Sequence, residues 1–205
     1  MKLHSSIGPN PRVVRMFAGE KGIDLPVVEV DLMAGENRQA AYKEKNPDGR
    51  VPCLDLDDGT FLSEIIPICE YLEEKHPSPP LVGASAEERA QTRMWVRRID
   101  LNIVEPLANG FRYAEGKALF EGRLHLIPQA ADDLKAIAQE NLAWLDGLMS
   151  GHEWIVGSRF TLADVFLFAF LDFGAQVGQT VDPKCAWLVD WQARVGARPS
   201  AAASA

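Results

Sequence analysis

The chain has 205 residues, of which 47% are hydrophobic and 24% charged, a composition typical of a folded globular protein rather than a disordered one. Its 21 lysines and arginines against 29 acidic residues give a net charge of −8, the wrong sign for binding nucleic acid or an anionic membrane. No apolar run reaches the roughly 18 residues of a membrane helix, and no signal-peptide core follows the first residues, so we expect a cytoplasmic protein. The three cysteines lack metal-ligand spacing, so we expect no metal site.

Short apolar runs alternate with helical stretches in the first part of the chain, which predicts an α/β domain over residues 1–78. An Asp-Gly pair between two of the strands predicts a hairpin. The predicted elements, in order, are a strand at Lys2 to Ser5, a helix at Pro11 to Lys21, a strand at Pro26 to Leu32, a short helix, strands at Val51 to Leu56 and Thr60 to Leu62, and a helix from Ile65 onward.

Three prolines near residue 80 cannot continue a helix, so residues 79–84 are interpreted as a linker. Residues 85–205 carry almost no strand signal and are predicted to form an all-α domain. Its helices are expected at Ser85 to Asn109, Ile127 to Met149, Thr161 to Gln176 and Trp187 to Val195, with a frayed tail after Pro199. Thr161 and Asp164 have the spacing of a capping box, with Phe160 and Val165 as a hydrophobic staple.

Two segments of the first domain could hold parts of a peptide-like ligand. A cis Val51–Pro52 bond would leave the Val51 backbone free to pair with an extended ligand, although trans is favoured locally because only about 5% of X–Pro bonds are cis. Glu64 directly precedes a helix whose unpaired N–H groups can hold a carboxylate, and its own carboxylate could hold an amine. Taken alone, a capped helix with one exposed acid explains this segment better.

Asn10 is predicted as the N-cap of the first helix, with Pro11 at the first helical position. An asparagine can cap with its carbonyl oxygen while its NH₂ group donates outward. Because a free thiol is only a few per cent ionised at neutral pH, such a donor, together with the helix dipole, would raise its thiolate fraction. A plain N-cap is the simpler interpretation of Asn10 by itself.

The order and spacing of these motifs resemble the cytosolic glutathione S-transferases over essentially the whole chain. The motifs are NPDGRVP at 46–52, SEIIPICEYLEEKHP at 63–77, the proline-rich linker and GSRFTLADVFLF at 157–168. The resemblance implies an α/β thioredoxin-like N-terminal domain, an all-α C-terminal domain, a homodimer, and a cis bond before Pro52. Glutathione would be the co-substrate, with no metal. The Pro9–Asn10 pair is most similar to bacterial nu-class transferases, which use a neighbouring threonine where this chain has Gly8.

Carried over residue by residue, the resemblance implies that the Val51 backbone pairs with the cysteinyl part of glutathione and that Glu64 binds the γ-glutamyl amine. Ile65 stands where the family has serine, so it offers only its backbone N–H, at a cost of about 1 kcal/mol for the lost hydroxyl bond. Arg38 and Arg50 are within plausible reach of the glycine carboxylate.

Stabilisation of the glutathione thiolate is assigned to Asn10, and the hydroxyls of Ser5 and Ser6 are the alternative donors. For the second substrate, the family uses the first helix of the all-α domain. The candidates for the electrophile site are Trp95, Phe111, Arg112 and Tyr113. A solvated helix face with dimer contacts explains these four residues equally well.

The activity implied by the resemblance is that of a glutathione S-transferase, in which the thiolate attacks a small hydrophobic electrophile, as in detoxification. Three alternatives remain open. One is a glutathione-dependent disulfide reductase of the nu type, and another is a glutathione-dependent isomerase or dehalogenase. The third is a non-catalytic binding or regulatory protein with a transferase fold, suggested by Ile65 in the serine position.

Overall fold

The computed structural model describes every residue from Met1 to Ala205. The chain divides into two compact units: unit 1 comprises Met1–Ala84 together with Ala197–Ala205, and unit 2 comprises Ser85–Gly196. None of the helices combines the length and apolarity needed to span a membrane. The predicted fold class, an α/β thioredoxin-like domain with an all-α domain, is confirmed.

Unit 1 is built on a mixed sheet of four short strands in the order β2-β1-β3-β4. The strands are β1 (Lys2–Ser5), β2 (Val27–Glu29), β3 (Cys53–Asp55) and β4 (Phe61–Ser63). The pairing of β1 with β2 is parallel, whereas β1 with β3 and β3 with β4 are antiparallel. Strand β1 has the predicted bounds and β4 the predicted length, whereas β2 and β3 are shorter than predicted, because turns and loops use the remaining residues.

The helices of unit 1 follow from its sequence pattern. Those within Met1–Ala84 are α1 (Pro9–Glu20), α2 (Ala40–Lys43) and α3 (Ile65–Lys75), with a 3₁₀ turn at Glu36–Arg38. Since side chains alternate across a strand, the paired Leu3 and Leu54 share one face of the sheet and the paired His4 and Cys53 the other. All four are buried, so helices or loops cover both faces of the sheet.

Unit 2 contains six α-helices: α4 (Ala86–Ile99), α5 (Glu105–Tyr113), α6 (Lys117–Phe120), α7 (Ala131–Leu148), α8 (Leu162–Gln176) and α9 (Ala186–Gly196). A π-helical segment, Asp100–Val104, joins α4 to α5 without a break. Pro106 accounts for it, because proline removes one helical N–H and its ring pushes away the carbonyl four residues earlier. Asn102 donates its side-chain amide to the Arg98 carbonyl at 2.9 Å within this segment.

The predicted capping box at the start of α8 is confirmed. The Thr161 hydroxyl accepts from the Ala163 N–H at 3.2 Å, and Asp164 accepts the Thr161 N–H at 2.9 Å. Asp164 is fully buried, and it also accepts from the Trp191 indole at 2.9 Å and the Ile155 N–H at 3.1 Å. Asp164 therefore ties the start of α8 to α9 and to the preceding loop.

The expectation of a frayed tail is wrong. Residues Pro199–Ala203 form a short helix, α10, that packs on α1 of unit 1. Arg198 makes two hydrogen bonds to Glu20, at 2.7 and 2.6 Å, and Ser200 and Ala201 are buried. Local sequence gives no sign of this, because the partners lie almost the whole chain apart.

Candidate functional site

The sheet register brings three of the predicted binding segments to one edge of unit 1. His4 pairs with Cys53, and Cys53 pairs with Ser63. The end of β1, the start of β3 and the end of β4 therefore lie side by side. The segments that continue from these points carry Asn10, Val51 and Glu64, respectively, so these predicted site residues converge on the same edge.

Glu64, the residue between β4 and α3, has a strained backbone. Its φ of 70° and ψ of 134° lie in a region that residues with a side chain avoid, at a cost of about 1–3 kcal/mol. Its exposed carboxylate does not cap the helix, since α3 has no side-chain cap. The N–H groups of Ile65 and Ile66 in the first turn point outward, as they do in any helix start. A free carboxylate thus lies beside two free N–H donors.

The start of α1 differs from the prediction, because Gly8 rather than Asn10 is the N-cap. Pro9, Asn10 and Pro11 then occupy the first turn, and two of its N–H groups are absent because proline has none. Asn10 supplies the one backbone N–H among these three positions. Its side chain is partly exposed and makes no hydrogen bond within the chain. Asn10 therefore offers both a backbone and a side-chain donor at the positive end of the helix.

Ser5 and Ser6, the alternative hydroxyl donors, are buried at the end of β1. The Ser5 hydroxyl accepts a hydrogen bond from Arg15 at 2.8 Å, and the Ser6 carbonyl accepts one from the same guanidinium at 3.2 Å. Ser5 has no exposed surface. Its hydroxyl consequently faces α1 rather than a ligand at the surface.

The Val51–Pro52 bond is cis, as the family resemblance predicted and against the local preference. Neither the N–H nor the carbonyl of Val51 makes a hydrogen bond within the chain. The preceding residue is held in place by two side chains that sequence reasoning missed, since the Arg50 carbonyl accepts from the Tyr42 hydroxyl and from the Asn46 amide, both at 2.8 Å. The backbone of Val51 is thereby presented with both of its polar groups available.

Arg38 and Arg50 lie on neighbouring loops. The Asn37 side chain donates to the Gly49 carbonyl at 2.5 Å. Arg38 directly follows Asn37 and Arg50 directly follows Gly49, so the backbones of the two arginines are close in space. Both arginine side chains are exposed, and neither forms an ion pair within the chain. The two loops therefore place the backbones of both arginines close together, and the Arg38 guanidinium lies over Gly35.

The nearest thiol is not a reactive one. Cys53 has no exposed surface, and burial raises the pKa of its thiol to about 11. Cys69 is also buried, with its pKa raised for the same reason. No group of three His, Cys, Asp or Glu side chains is placed to hold a metal ion. Neither Cys53 nor Cys69 is therefore exposed for reaction at this edge.

The four candidates for the electrophile site do not form one group within unit 2. Trp95 lies on α4, with the Arg98 guanidinium 5.0 Å from its ring, whereas Phe111 lies 16 residues further along the same continuous helix, about 24 Å away. Phe111 packs edge-to-face on Phe173 at 5.0 Å and is partly buried. Phe111 therefore contributes to the interior of unit 2.

Arg112 and Tyr113 end α5 next to Phe111. Arg112 donates to the Asn109 side chain at 2.9 Å and its guanidinium lies 6.0 Å from the Phe120 ring. Both Arg112 and Tyr113 are partly exposed. These two residues are the members of the set that sit at the surface beside an aromatic cluster.

Comparison with known proteins places this geometry in a family. The sequence model of the glutathione S-transferase N-terminal domain matches residues 7–75, and that of the C-terminal domain matches residues 127–199. The matched N-terminal segment contains Asn10, Val51 and Glu64. Together the two models account for most of the chain.

Individual relatives agree. Maleylacetoacetate isomerase of Pseudomonas aeruginosa is 33% identical over 82% of this chain and 78% of its own length. A glutathione S-transferase domain-containing protein of Marinobacter aquaeolei VT8 is 35% identical, with a TM-score of 0.92 over 98% of this chain and 100% of its own. Gtt2 of Saccharomyces cerevisiae is 28% identical, with a TM-score of 0.93 over 100% of both chains. With both domains matched and the binding segments converging on one edge, the chain belongs to the glutathione S-transferase family and is a transferase.

Proposed function

We propose that this protein binds glutathione at the edge of unit 1 and promotes attack of its thiolate on a small hydrophobic electrophile. The observation that carries the proposal is the strained Glu64, whose free carboxylate stands beside the first N–H groups of α3. Backbone strain of this kind persists where a function requires it. A positively charged amine and a carboxylate on one carbon match this pair of groups.

In the proposed complex, Glu64 accepts from the γ-glutamyl amine, and the N–H of Ile65 donates to the adjacent carboxylate. Isoleucine provides no hydroxyl here, so the N–H groups and helix dipole hold the carboxylate alone. The Val51 backbone pairs with the cysteinyl residue through its free N–H and carbonyl. Arg38 and Arg50 attract the glycine carboxylate, which supplies a local positive charge on a chain with a net charge of −8.

Asn10 lowers the pKa of the bound thiol by donating to the thiolate. The thiol proton leaves to solvent, and the sulfur then forms a bond to the electrophilic carbon while the leaving group departs with its electron pair. Because Ser5 has no exposed surface from which its hydroxyl could reach a bound thiolate, we do not assign it this role. Positioning of the electrophile supplies the rest of the acceleration, and Arg112 and Tyr113 remain proposed contacts for it.

Isothermal titration with glutathione and with glutathione disulfide tests the proposal. Saturable binding of glutathione is the expected result. In a mixture of glutathione and an aryl halide, the protein should then form the conjugate. Tighter binding of the disulfide, with thiol release on reaction, would favour the disulfide reductase instead. No binding of either at millimolar concentration would contradict every enzymatic version and leave a binding or regulatory role.

A second candidate is glutathione-dependent isomerisation, which is favoured by the 33% identity to maleylacetoacetate isomerase. The two reactions share the thiolate and differ in its fate. A transferase leaves glutathione on the product, whereas an isomerase releases it unchanged. Mass spectrometry of the product from a conjugated cis-alkene acid therefore separates them. A cytoplasmic homodimer acting in detoxification completes the proposal, and sedimentation equilibrium tests the dimer.

A further inference from the structure

Arg15 on α1 makes hydrogen bonds to three separate points of the chain. Its Nη1 donates to the Ser5 hydroxyl at 2.8 Å and to the Ser6 carbonyl at 3.2 Å. Its Nη2 and Nε donate to the Ser204 carbonyl at 2.8 and 3.3 Å. One planar guanidinium thus joins the end of β1 to the segment that follows α10, a use of several donors in a fixed fork for which lysine has no substitute.

The loop that Arg15 braces is otherwise poorly held. Only Ile7 and Gly8 separate Ser6 from the start of α1. The Ile7 side chain is 71% exposed, and a Cβ built on Gly8 would meet nothing within 4 Å. The backbone N–H groups of Ile7 and Gly8 donate no hydrogen bond to another part of the chain. The conformation of this loop therefore depends on its anchored ends.

Asn10 lies two residues beyond Gly8, in the first turn of α1 and on the same helix as Arg15. The C-terminal segment, in turn, lies against a stripe of α1. Arg12 donates to the Ala201 carbonyl at 3.3 Å, Gly19 lies so near Ser200 that a Cβ added to the glycine would be in contact with it, and Glu20 binds Arg198. These α1 positions recur at helical spacing and face one way. The C-terminal segment is thus held in place on α1 and can serve as an anchor for the Arg15 guanidinium.

We propose that Arg15 is a positioning residue for thiol activation, which uses the Ser204 carbonyl as its anchor to hold the Ser5–Ser6 end of the loop and thereby aims Asn10 at the glutathione sulfur. The inference rests on the proposed function. It assigns a role in the reaction to the C-terminal segment Arg198–Ala205, which contributes no group to the site itself.

The test compares the glutathione thiol pKa, read from thiolate absorbance of the complex, in the unaltered protein and two variants. Arg15→Lys keeps the positive charge but cannot reach Ser5, Ser6 and Ser204 together. A variant that ends at Ala197 removes the anchor and leaves Arg15 in place. For both, we expect the thiol pKa to rise towards that of free glutathione and kcat to fall about tenfold, while the glutathione Kd changes less than twofold, because Glu64 and Val51 are untouched.

Arg198→Ala is the matched control. It removes the ion pair that holds the other end of the same segment to Glu20, and it should lower the unfolding midpoint without changing the thiol pKa. Equal thiol pKa values in the unaltered protein and both variants would overturn the inference, as would an equal shift in Arg198→Ala. If the unaltered protein bound no glutathione, the proposed function itself would fail, and the calorimetric titration shows this separately.

Discussion

Lys21 and Glu73 form an ion pair in the interior of unit 1, with 2.6 Å between the Lys21 Nζ and a Glu73 carboxylate oxygen. The Lys21 side chain has no exposed surface, and its ammonium also donates to the Pro79 carbonyl at 2.6 Å. The other Glu73 oxygen accepts from the Val82 N–H at 3.0 Å. One buried pair therefore fastens the proline-rich segment after α3 to both α1 and α3.

This arrangement predicts a strong coupling between the two residues. Lys21→Met leaves Glu73 buried without its cation and should cost about 3–5 kcal/mol of unfolding free energy. Adding Glu73→Gln removes the stranded charge but keeps an acceptor for Val82, so the double variant should recover a substantial part of that loss. Urea denaturation of the four proteins in the cycle measures the coupling energy.

The exposed pair of Arg97 and Asp100, 3.2 Å apart with 67% and 32% of their side chains exposed, is the control for that cycle. Its coupling should not exceed about 1 kcal/mol, as for other surface pairs. Equal coupling energies in the two cycles would show that the interior pair does not hold the segment.

The backbone strain at Glu64 predicts that one substitution can raise the free energy of unfolding and weaken glutathione binding. Glu64→Gly relieves the strained backbone and should raise the free energy of unfolding by about 1 kcal/mol. The same change removes the carboxylate and should weaken glutathione binding by about 1.5–3 kcal/mol, the contribution of a charged hydrogen bond. Denaturation and calorimetry on the same preparation measure both effects.

Glu64→Ala separates the two effects, because alanine removes the carboxylate without relieving the strain. Its glutathione affinity should fall as in the glycine variant, with no gain in stability. A glycine variant that is less stable than the unaltered protein, or that binds glutathione equally well, would contradict the role given to Glu64.

His4 predicts a loss of stability in mild acid. Burial, followed by the nearby Lys45, lowers the pKa of His4 below its usual 6.5, and the ring contacts Tyr42 and Phe61. The unfolded chain therefore binds more protons than the folded one just below pH 6.5, so stability falls as the pH drops. Asp164 acts oppositely between pH 4 and 6, because burial raises its pKa from 3.8 to about 6.

The contribution of His4 is therefore clearest between pH 7 and 6. We expect His4→Phe to flatten the fall of unfolding free energy over this window. Thermal unfolding at closely spaced pH values measures the slope. An identical slope in the His4 variant would show that some other group controls the acid sensitivity.

Replacing Asp164 should cause a large loss of stability in unit 2. Asp164→Ala leaves the buried N–H groups of Ile155, Thr161 and Trp191 without an acceptor, at about 1–3 kcal/mol each, so a total loss above 3 kcal/mol is expected. Thr161→Ala removes the cap and the hydroxyl that donates to Asp164 at 3.2 Å, and should cost about 1–2 kcal/mol. Asp133→Ala, in the exposed first turn of α7, should change the unfolding free energy by less than about 0.5 kcal/mol. A loss of similar size at Asp133 would contradict the argument.

The sequence predicted those parts of the structure that depend on neighbouring residues. The capping box at Thr161 and Asp164 and the sequence order of strands and helices in unit 1 arise from local spacing. Contacts between distant segments left no local sign. Arg15 with Ser204, and Lys21 with Glu73, join residues whose separation in sequence carries no periodic pattern.

The errors at the site have a similar origin. Asn10 is of a residue type that is common at N-caps. Gly8 takes that position instead, with a φ of 105°, which glycine adopts without strain. The strain at Glu64 was equally hidden, because glutamate is a residue that ordinarily avoids positive φ.

The pH titration of bound glutathione in the Asn10→Ala variant tests the central claim most directly. Because a donor to the thiolate lowers its pKa, removal of the Asn10 amide should raise the thiol pKa of the complex by about one unit, equivalent to one hydrogen bond, with glutathione still bound. An unchanged thiol pKa in a variant that binds glutathione normally would contradict the account, and would transfer thiol activation from the Asn10 side chain to other groups.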